Sequence, residues 1–432
     1  MIIGLDLTWM NIINGSGGVF HYAIRLVNGL VKHTSAIIIA IISPHGIGIF
    51  EHLQVNKNFR LIVLDSPKQF NALLKAEGVE VVHTPLQWHI NFTLSVPMVN
   101  NLHDLQQFHY PEFFSTEELD FREKFYRKSA EFSERVIVSY QHVKDDIVKY
   151  YGISPDKIDV CPFGMIEVPT VDISSFERLK IKYRLPDRYL LYSAGTWRHK
   201  NHIGLIKALK LLREKHRIEI ELICTGYQYP DFFPEIERFI QELKMTECVH
   251  FLGYLPEEEM PLLLTNATLA VIPTLYEAGS FPLYEAMARQ VPVICSNVTS
   301  LPETIGDARF IFDPTDIEQM ASKIAEMLNN PELLKINQVN SRQYISLHGW
   351  DVASKEFLTT YQRAINDFRN KRDGTFFQHC IDSYDESIDE LRQKLESEVA
   401  EKSQINAELE AIKRSLIWRF TAVFRSVLNF IR

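Results

Sequence analysis

The strongest constraint on this sequence of 432 residues is an alternation of short apolar runs with amphipathic stretches, which occurs twice along the chain. Short runs rich in Ile, Val and Leu are typical of parallel strands that are buried on both faces. The stretches between them carry apolar residues at helical spacing. Strands that alternate with helices in this way indicate parallel sheets, so the sequence predicts an α/β protein with two doubly wound domains.

The first domain is predicted to contain six strands: Ile2–Leu7, Ile37–Ile42, Arg60–Leu64, Val79–His83, Met98–Leu102 and Val136–Ser139. The helical patterns between them include Phe20–Lys32 and Lys68–Ala76. The second domain is predicted to contain five strands: Tyr189–Ser193, Ile218–Cys224, Val249–Phe251, Leu269–Ile272 and Val291–Cys295. Its predicted helices are Ile203–Glu214, Pro234–Leu243, Leu283–Arg289 and Ile317–Leu328.

The polar, weakly patterned segment Ile166–Asp187 separates the two domains. We place the boundary near Glu167, which gives an N-terminal domain of residues 1–167 and a C-terminal domain of residues 168–349. A further helix, Trp350–Phe368, accounts for residues 350–370. Open α/β sheets bind ligands beyond the carboxyl ends of their strands, so we expect a site in a central cleft between the domains.

The remaining segment, residues 371–432, differs in character from the two domains. From Ile388 to Leu416, mostly apolar residues recur at alternating spacings of three and four residues. This pattern predicts a coiled coil, and therefore self-association through residues 385–416. A single solvated helix packed on the body is the alternative. Residues 414–432 mix arginines with apolar and aromatic side chains, a pattern typical of helices at an anionic membrane interface or docked on a partner protein.

Composition excludes several classes of protein. The net charge of −9 is evidence against a general nucleic-acid-binding protein, because contacts to phosphate require clustered cations. The five cysteines are scattered and form no CxxC pair, which indicates free thiols rather than a disulfide framework or a zinc site. With no signal-peptide pattern and no apolar run of about 18 residues, we expect a cytoplasmic location, peripheral to the membrane at most.

Two glutamates separated by seven residues, Glu277 and Glu285, form the strongest candidate site. Ser280 is a predicted helix N-cap, and Pro282 is tolerated in the first helical turn. A helix that begins after a loop of small residues is a natural site for an anion. We therefore expect a diphosphate here, with the carboxylates accepting hydrogen bonds from sugar and ribose hydroxyls.

The string Glu277–Glu285, together with Pro292–Asn297 and Leu301–Glu303, resembles the E-x7-E region of retaining glycosyltransferases of the GT-B fold, similar to family 4. The resemblance covers Met1–Phe368. It implies two Rossmann-like domains facing a central cleft, with residues 1–167 on the acceptor side and residues 168–349 holding the nucleotide-sugar donor. Glu277 would lie on the donor sugar and Glu285 on the ribose. Many family members have Gly-Phe-Gly after the first glutamate, whereas this chain has Ala278-Gly279-Ser280-Phe281.

The resemblance also assigns roles elsewhere. It implies that Lys200 and Arg198, in the string Gly195–Asn201, neutralise the donor diphosphate, and that His103 lies near the transferred sugar. The glycine-rich loop Asn14–Gly18 would close on the donor through Gly17 and Gly18. The base pocket would lie near Thr225–Gly226 and Phe251–Tyr254, and thus near Gly226 and Leu252. The donor-binding residues of the loop after Glu277 would be Gly279, Ser280 and Phe281.

Each assignment has a structural alternative. Glu277 can be a surface carboxylate, Lys200 and Arg198 can belong to a solvated turn, and the glycine-rich loop can be a flexible turn. His103 can be a histidine whose ring is satisfied by a backbone carbonyl. Asp104 is expected to cap the following turn or to orient His103, and His83 is interpreted as structural.

The predicted function is metal-independent, retaining transfer of a sugar from a nucleotide-diphosphate donor to a glycan or lipid-linked glycan. The donor is a co-substrate, and no cofactor is expected. Surface polysaccharide or O-antigen assembly is the preferred context, with mannose as a candidate sugar. Two alternatives stay open: a nucleotide-sugar epimerase on the same fold, and a non-catalytic scaffold that acts through its coiled coil.

Overall fold

The structure, a computed structural model, describes residues 1–11, 17–89, 94–164, 168, 175–256 and 258–371. Contacts group Met1–Arg369 into one compact unit and Asn370–Arg432 into another. The predicted coiled coil at 385–416 and the predicted basic helix at 414–432 lie outside the described residues. Within the described part of the chain, no helix combines the length and the apolar character that a membrane span requires.

A parallel sheet of seven strands forms the core of the N-terminal domain. Its strands are β1 (Ile2–Leu7), β2 (Ile37–Ile42), β3 (Phe59–Val63), β4 (Val81–Thr84), β5 (Met98–Asn101), β6 (Arg135–Val138) and β7 (Ile158–Val160). Their order across the sheet is β3-β2-β1-β4-β5-β6-β7. The six predicted strands are confirmed to within one or two residues at most ends. Strand β7 was not predicted, because the charged Asp159 interrupts its short apolar run.

A second parallel sheet of six strands forms the core of the C-terminal domain. Its strands are β8 (Tyr189–Ser193), β9 (Glu221–Thr225), β10 (Val249–Phe251), β11 (Leu269–Ile272), β12 (Val293–Ser296) and β13 (Ile311–Phe312). Their order is β10-β9-β8-β11-β12-β13. In this sheet the strand order reverses between β8 and β11, and such a switch point is where open α/β sheets hold their ligands.

Thirteen helices flank the two sheets in the described part of the chain. They are α1 (Gly18–His33), α2 (Phe70–Ala76), α3 (Thr116–Phe132), α4 (Gln141–Asp146), α5 (Phe176–Tyr183), α6 (His202–His216), α7 (Phe233–Glu242), α8 (Glu259–Thr265), α9 (Phe281–Ala288), α10 (Leu301–Ile305), α11 (Ile317–Asn329), α12 (Pro331–Leu347) and α13 (Trp350–Lys371). The helices predicted for the two domains and for residues 350–370 are present. Helices α3 and α12, each of 17 residues, were not predicted.

Helix α13 returns from the second sheet and packs on the first domain. His83 at the end of β4 is fully buried, and its Nδ1 lies 2.8 Å from the Tyr361 hydroxyl of α13 while its Nε2 lies 2.6 Å from Asn101 Oδ1. Arg135 of β6 donates to Asp367 of α13 at 3.2 Å. His83 therefore joins a strand to the returning helix, in line with its structural interpretation.

The cysteines of the described residues are free thiols in the core. Cys161, Cys224, Cys248 and Cys295 are all buried and unbridged. This confirms the prediction of buried free thiols for these four positions. Cys380 lies outside the described residues.

Candidate active site

A buried ion pair joins the ends of β8 and β11, the two strands at the switch point of the second sheet. Lys200 Nζ donates to both carboxylate oxygens of Glu277, at 2.7 and 3.0 Å. The side chains of Lys200 and Glu277 are only 18% and 10% exposed. The structure thus brings together the two residues that the sequence placed on the donor, and it excludes the alternative that Glu277 is an exposed surface carboxylate.

The backbone on both sides of this pair is fixed by hydrogen bonds. The Glu277 N–H donates to Thr299 Oγ1 at 3.1 Å, and the Thr299 and Ser300 hydroxyls donate to the Glu277 carbonyl at 2.7 and 3.0 Å. The Tyr192 hydroxyl donates to the Lys200 carbonyl at 2.9 Å. Since both main chains are anchored, the two side chains meet in one geometry, as preorganised electrostatic sites require.

A third charged residue approaches the pair from the first domain. Burial raises the pKa of the Glu277 carboxyl, Lys200 lowers it, and the nearby Asp104 raises it further. Asp104 Oδ1 accepts a hydrogen bond from the Gln106 N–H at 3.3 Å and lies 3.6 Å from Arg122. Asp104 therefore caps the turn after β5, as the sequence predicted, and also faces the ion pair across the cleft.

His103 precedes Asp104 at the carboxyl end of β5 and lies against Tyr22, with 4.7 Å between the ring centroids. Burial lowers the pKa of the imidazole to about 4, which a hydrogen bond to the Pro85 backbone opposes. The Nε2 atom is inaccessible to solvent and has no hydrogen-bond partner among the described residues. At neutral pH, His103 is therefore an uncharged ring that is hydrogen-bonded to the Pro85 backbone, as its structural alternative predicted, and its Nε2 is closed to solvent in this structure.

Glu285 contacts the first domain. Arg25 of α1 donates to Glu285 of α9 at 3.3 Å, and its guanidinium lies 4.5 Å above the Phe281 ring. Phe281 also packs edge-to-face on Phe163 of the first domain, at 5.6 Å between centroids. The carboxylate expected to bind the ribose is therefore linked by an ion pair to an arginine that the sequence did not single out.

The loop before α9 is closely approached by Tyr140 of the first domain. Gly279 has a φ of +150°, and a Cβ at this position would lie 3.2 Å from the Tyr140 ring. Ser280 is confirmed as the N-cap of α9, since its side chain accepts a hydrogen bond from the Leu283 N–H at 3.4 Å. Tyr140 and Tyr284 also meet through their hydroxyls. Tyr140, which the sequence did not identify, thus packs directly on the predicted donor loop.

The other predicted donor residues are distributed around the cleft. Gly18 at the start of α1 faces Phe281, since a Cβ there would lie 3.8 Å from the Phe281 ring. Gly17 immediately precedes this helix, whereas Asn14, Gly15 and Ser16 lie outside the described residues. Gly226 and Leu252 follow β9 and β10, where the Gly226 N–H donates to the Gly253 carbonyl at 2.8 Å.

Arg198 is not brought to the ion pair. Its guanidinium pairs with Glu235 at 3.3 Å and lies 4.2 Å above the Phe232 ring. The side chain is about half exposed. In this structure Lys200, and not Arg198, supplies the cation beside Glu277.

A cavity of about 860 Å³ lies between the two domains next to Glu285. From the first domain, α1 contributes Arg25 and Asn28, and from the second domain Leu255, Met260 and Arg289 line the wall. A space of this size, lined by apolar and charged side chains from both domains, matches the usual dimensions of a small-molecule site.

Family models match both halves of the chain. The model of the family Glycosyltransferase Family 4 matches residues 16–165, and that of Glycosyl transferases group 1 matches residues 175–344. The chain is 28% identical over 270 residues to the O-antigen chain mannosyltransferase B of Escherichia coli, an alignment that covers 61% of this chain and 70% of that protein.

It is also 27% identical over 224 residues to the MMP alpha-(1->4)-mannosyltransferase of Mycolicibacterium hassiacum, covering 51% of this chain and about half, 52%, of that relative. The crystal structure of Anabaena HepE in complex with UDP superposes with a TM-score of 0.64 at 16% identity, over 84% of this chain and 99% of that chain. The chain therefore belongs to the glycosyltransferases of the GT-B fold, with an N-terminal domain of the family 4 type and a C-terminal domain of the group 1 type.

Proposed function

We propose that this protein transfers mannose from a nucleotide-diphosphate donor to a glycan or lipid-linked glycan, with retention of the anomeric configuration. The observation that carries the proposal is the buried Lys200–Glu277 pair at the switch point of the second sheet. A cation and a carboxylate held together at this position provide one group for a diphosphate and one for sugar hydroxyls. The alternatives of an epimerase and a scaffold have no specific observation in their favour.

On this proposal, Lys200 binds the donor diphosphate and Glu277 accepts hydrogen bonds from hydroxyls of the transferred sugar. The Gly279–Phe281 loop at the start of α9 lies close to the phosphates. Glu285 accepts a hydrogen bond from a ribose hydroxyl. Gly17 and Gly18 contribute the first-domain side of the phosphate site. His103, uncharged because its pKa is lowered to about 4, lies near the transferred sugar and adds no positive charge beside the reacting carbon.

The chemistry needs no covalent attachment to the protein. The bond between C1 of the sugar and the phosphate oxygen breaks, and the electron pair stays on the phosphate. The acceptor hydroxyl forms its bond to C1 from the same face, and its proton passes to the departing phosphate. Lys200 stabilises the negative charge that develops on the leaving group, which is the type of interaction that contributes most in preorganised sites.

Mannose and a polysaccharide acceptor are proposed from the relatives. The E. coli relative is named for O-antigen chain mannosyl transfer and the M. hassiacum relative for α-(1→4)-mannosyl transfer. The UDP bound to the HepE structure supports a nucleotide-sugar donor in general and leaves the base open for this chain. We propose surface polysaccharide or O-antigen assembly at the cytoplasmic face of the membrane as the context.

The direct test is product formation by the purified protein. GDP-mannose and UDP-mannose are offered with and without mannose-terminated oligosaccharide acceptors, and nucleoside diphosphate and product are measured by chromatography and NMR. We expect nucleotide release that requires an acceptor and a product linkage with the anomeric configuration of the donor. Conversion of the donor sugar without an acceptor would indicate the epimerase instead, and an inverted product would contradict retention.

We also propose, from sequence alone, that residues 385–416 mediate self-association and that residues 414–432 contact an anionic membrane. Truncation after Arg369 tests both roles. We expect the truncated protein to keep transfer to soluble acceptors, to sediment as a smaller species, and to lose binding to vesicles that contain phosphatidylglycerol. Unchanged vesicle binding would assign the membrane contact to the two domains.

A further inference from the structure

Thr299, in the loop between β12 and α10, has a backbone conformation that its own side chain disfavours, with a φ of +48°. Five other non-glycine residues of the described part of the chain have a positive φ. Asn201 is of a residue type that is enriched in this region. The other four lie at or just after the ends of helices: Arg184, Arg217, Lys244 and Gln290. Thr299 is the only β-branched residue among the six, and for such a side chain a positive φ is a strained outlier.

The hydroxyl of Thr299 forms two hydrogen bonds with the main chain of Glu277. Thr299 Oγ1 accepts from the Glu277 N–H at 3.1 Å and donates to the Glu277 carbonyl at 2.7 Å. A hydroxyl can form both bonds because it has one donor and two acceptor lone pairs. The buried Ser300 hydroxyl donates to the same carbonyl at 3.0 Å. Thr299 therefore binds both main-chain polar groups of Glu277, whereas Ser300 binds only one.

The left-handed conformation of Thr299 has a cost that glycine would avoid. Glycine occupies positive φ without a steric penalty, but it has no hydroxyl. Strain of this kind persists only where the surrounding contacts compensate for it, and it is concentrated at functional sites. The residue at position 299 thus suits the contact with Glu277 and does not suit the local backbone.

The contact with Thr299 determines where the Glu277 carboxylate lies. Glu277 follows β11 in a loop, outside the hydrogen bonds of the strand. Thr299 follows β12, the neighbour of β11 in the sheet, so its hydroxyl ties the two loops together. The carboxylate of Glu277 then meets Lys200 Nζ at 2.7 and 3.0 Å. A main-chain shift of about 1 Å would change this geometry, and a misplacement of that size can cost on the order of 100-fold in rate.

We propose that Thr299 is a positioning residue for sugar transfer, whose hydroxyl holds the Glu277 main chain so that the carboxylate meets Lys200 and the transferred sugar in one arrangement. Thr299 is not itself a catalytic residue, because it acts through Glu277. The inference rests on the proposed function for the identity of the reaction. It adds that the rate depends on the hydroxyl at position 299, whereas stability depends also on the strained backbone.

Three substitutions separate the hydroxyl from the strain. Thr299→Ser keeps the hydroxyl, Thr299→Ala removes it and keeps a side chain at the positive φ, and Thr299→Gly removes both. Initial rates of acceptor-dependent transfer and thermal melting are measured for each full-length variant. We expect Thr299→Ser to retain most of the kcat, and Thr299→Ala and Thr299→Gly to lose about tenfold or more. Thr299→Gly should nevertheless melt at a higher temperature than Thr299→Ala.

The comparison of rate with stability distinguishes a positioning role from a structural one. If Thr299 served only the fold, kcat would follow the melting temperature, and Thr299→Gly would be more active than Thr299→Ala. The donor KM should change less than kcat, because other residues bind the nucleotide. Lys244→Gly is the matched control, since Lys244 follows α7 with a φ of +58°. It should raise the melting temperature and leave kcat unchanged.

The energetic coupling of Lys200 with Glu277 provides a measurement that does not depend on activity. Urea denaturation of Lys200→Met, Glu277→Gln and the double variant measures this coupling in the wild-type background and in the Thr299→Ala background. If Thr299 positions Glu277, the coupling should be weaker in the Thr299→Ala background. The Thr299→Ser background should restore it.

The outcomes separate this inference from the proposed function. An unchanged coupling in the Thr299→Ala background, or a wild-type kcat in Thr299→Ala, would overturn the role of Thr299, while acceptor-dependent transfer by the wild type would still support the proposed function. A kcat in Thr299→Ser as low as that in Thr299→Ala would overturn the role as well, since the hydroxyl would then have no effect. A wild type without acceptor-dependent transfer, together with a weaker coupling in the Thr299→Ala background, would contradict the proposed function and support Thr299 as the residue that positions Glu277.

Discussion

Lys200 and Glu277 are 77 positions apart in sequence, yet Lys200 Nζ lies 2.7 and 3.0 Å from the two carboxylate oxygens of Glu277. The pair connects the loops after β8 and β11, which are adjacent in the sheet because the strand order reverses there. Both side chains are largely withdrawn from solvent. If either side chain is removed, the charge of the other therefore stays poorly solvated and has no opposite charge beside it.

The first prediction concerns the stability of this pair. Lys200→Met should lower the free energy of unfolding by about 3 kcal/mol, because loss of one partner of a buried pair leaves the other uncompensated. The double variant Lys200→Met/Glu277→Gln should recover part of this loss, since no unpaired charge remains. Urea denaturation of the wild type, both single variants and the double variant measures the coupling. Strictly additive losses would show that the two side chains are energetically independent.

The second prediction concerns the interdomain contact between Arg25 and Glu285. Both side chains are roughly a quarter exposed, so the pair should contribute less than about 1 kcal/mol to stability. Glu285→Gln should raise the donor KM about tenfold, because a hydrogen bond from ribose to a charged acceptor is lost. Arg25→Gln should raise the donor KM less, with kcat little changed.

The double variant Arg25→Gln/Glu285→Gln is the matched control for this pair. If Arg25 acts by positioning Glu285, the double variant should have the same donor KM as Glu285→Gln alone. Multiplicative effects of the two substitutions on KM would show that Arg25 contacts the donor by itself.

The third prediction concerns Gly279. Its backbone conformation, with a φ of +150°, disfavours any side chain, and an added methyl group would meet the Tyr140 ring at 3.2 Å. Gly279→Ala should therefore shift the loop before α9 and reduce kcat/KM more than tenfold, with a stability loss of about 1 kcal/mol or more.

Gly152→Ala is the control for backbone strain. Gly152 also has a positive φ, +68°, but a Cβ there meets nothing within 4 Å. This variant should lose a similar amount of stability and keep its kcat/KM. Equal activity of the two alanine variants would show that the position of the Gly279 loop does not limit the reaction.

The fourth prediction concerns acid stability. Burial lowers the pKa of five histidines to about 3 or 4: His83, His103, His142, His199 and His202. Between pH 6.5 and about 4, the unfolded chain binds protons at these positions that the folded chain does not, so the free energy of unfolding falls as the pH decreases. The raised pKa values of Glu277 and Asp104 act in the opposite direction.

Urea denaturation at pH 7.5 and at pH 5.5 measures this dependence. Each buried histidine contributes at most about 1.4 kcal/mol over this interval. His83→Gln should reduce the difference in unfolding free energy between the two pH values by up to one such contribution. A difference that is unchanged in His83→Gln would show that His83 titrates normally in the folded protein.

The sheets could be predicted from the sequence because their strands are apolar runs separated by helical patterns. Strand β7 is interrupted by the charged Asp159 and β13 has only two residues, so neither produces such a pattern. Helix α3 could have been predicted, since Ser115 and Glu118 form a capping box that is visible in the sequence and present in the structure. It was not predicted, because it is mostly polar and has few apolar residues at helical spacing.

The site residues that belong to a sequence motif could be predicted. The residues that reach the site only through tertiary contacts could not. The spacing of Glu277 and Glu285 and the position of Lys200 can be recognised in the sequence. Arg25 lies 260 positions from Glu285, and no local pattern links them. Likewise, the partner of Arg198 is Glu235, because α7 follows the neighbouring strand β9 and brings that carboxylate within reach.

The most direct test of the central claim, that Lys200 and Glu277 together bind the glycosyl diphosphate, is the initial rate of sugar transfer by Lys200→Ala and Glu277→Ala. Each variant is measured at a temperature where melting shows it folded, beside Lys210→Ala, which removes only a helix-surface partner of Glu214. We predict a decrease in kcat of about 100-fold or more for both site variants and none for Lys210→Ala. Near wild-type transfer by either site variant would contradict the claim.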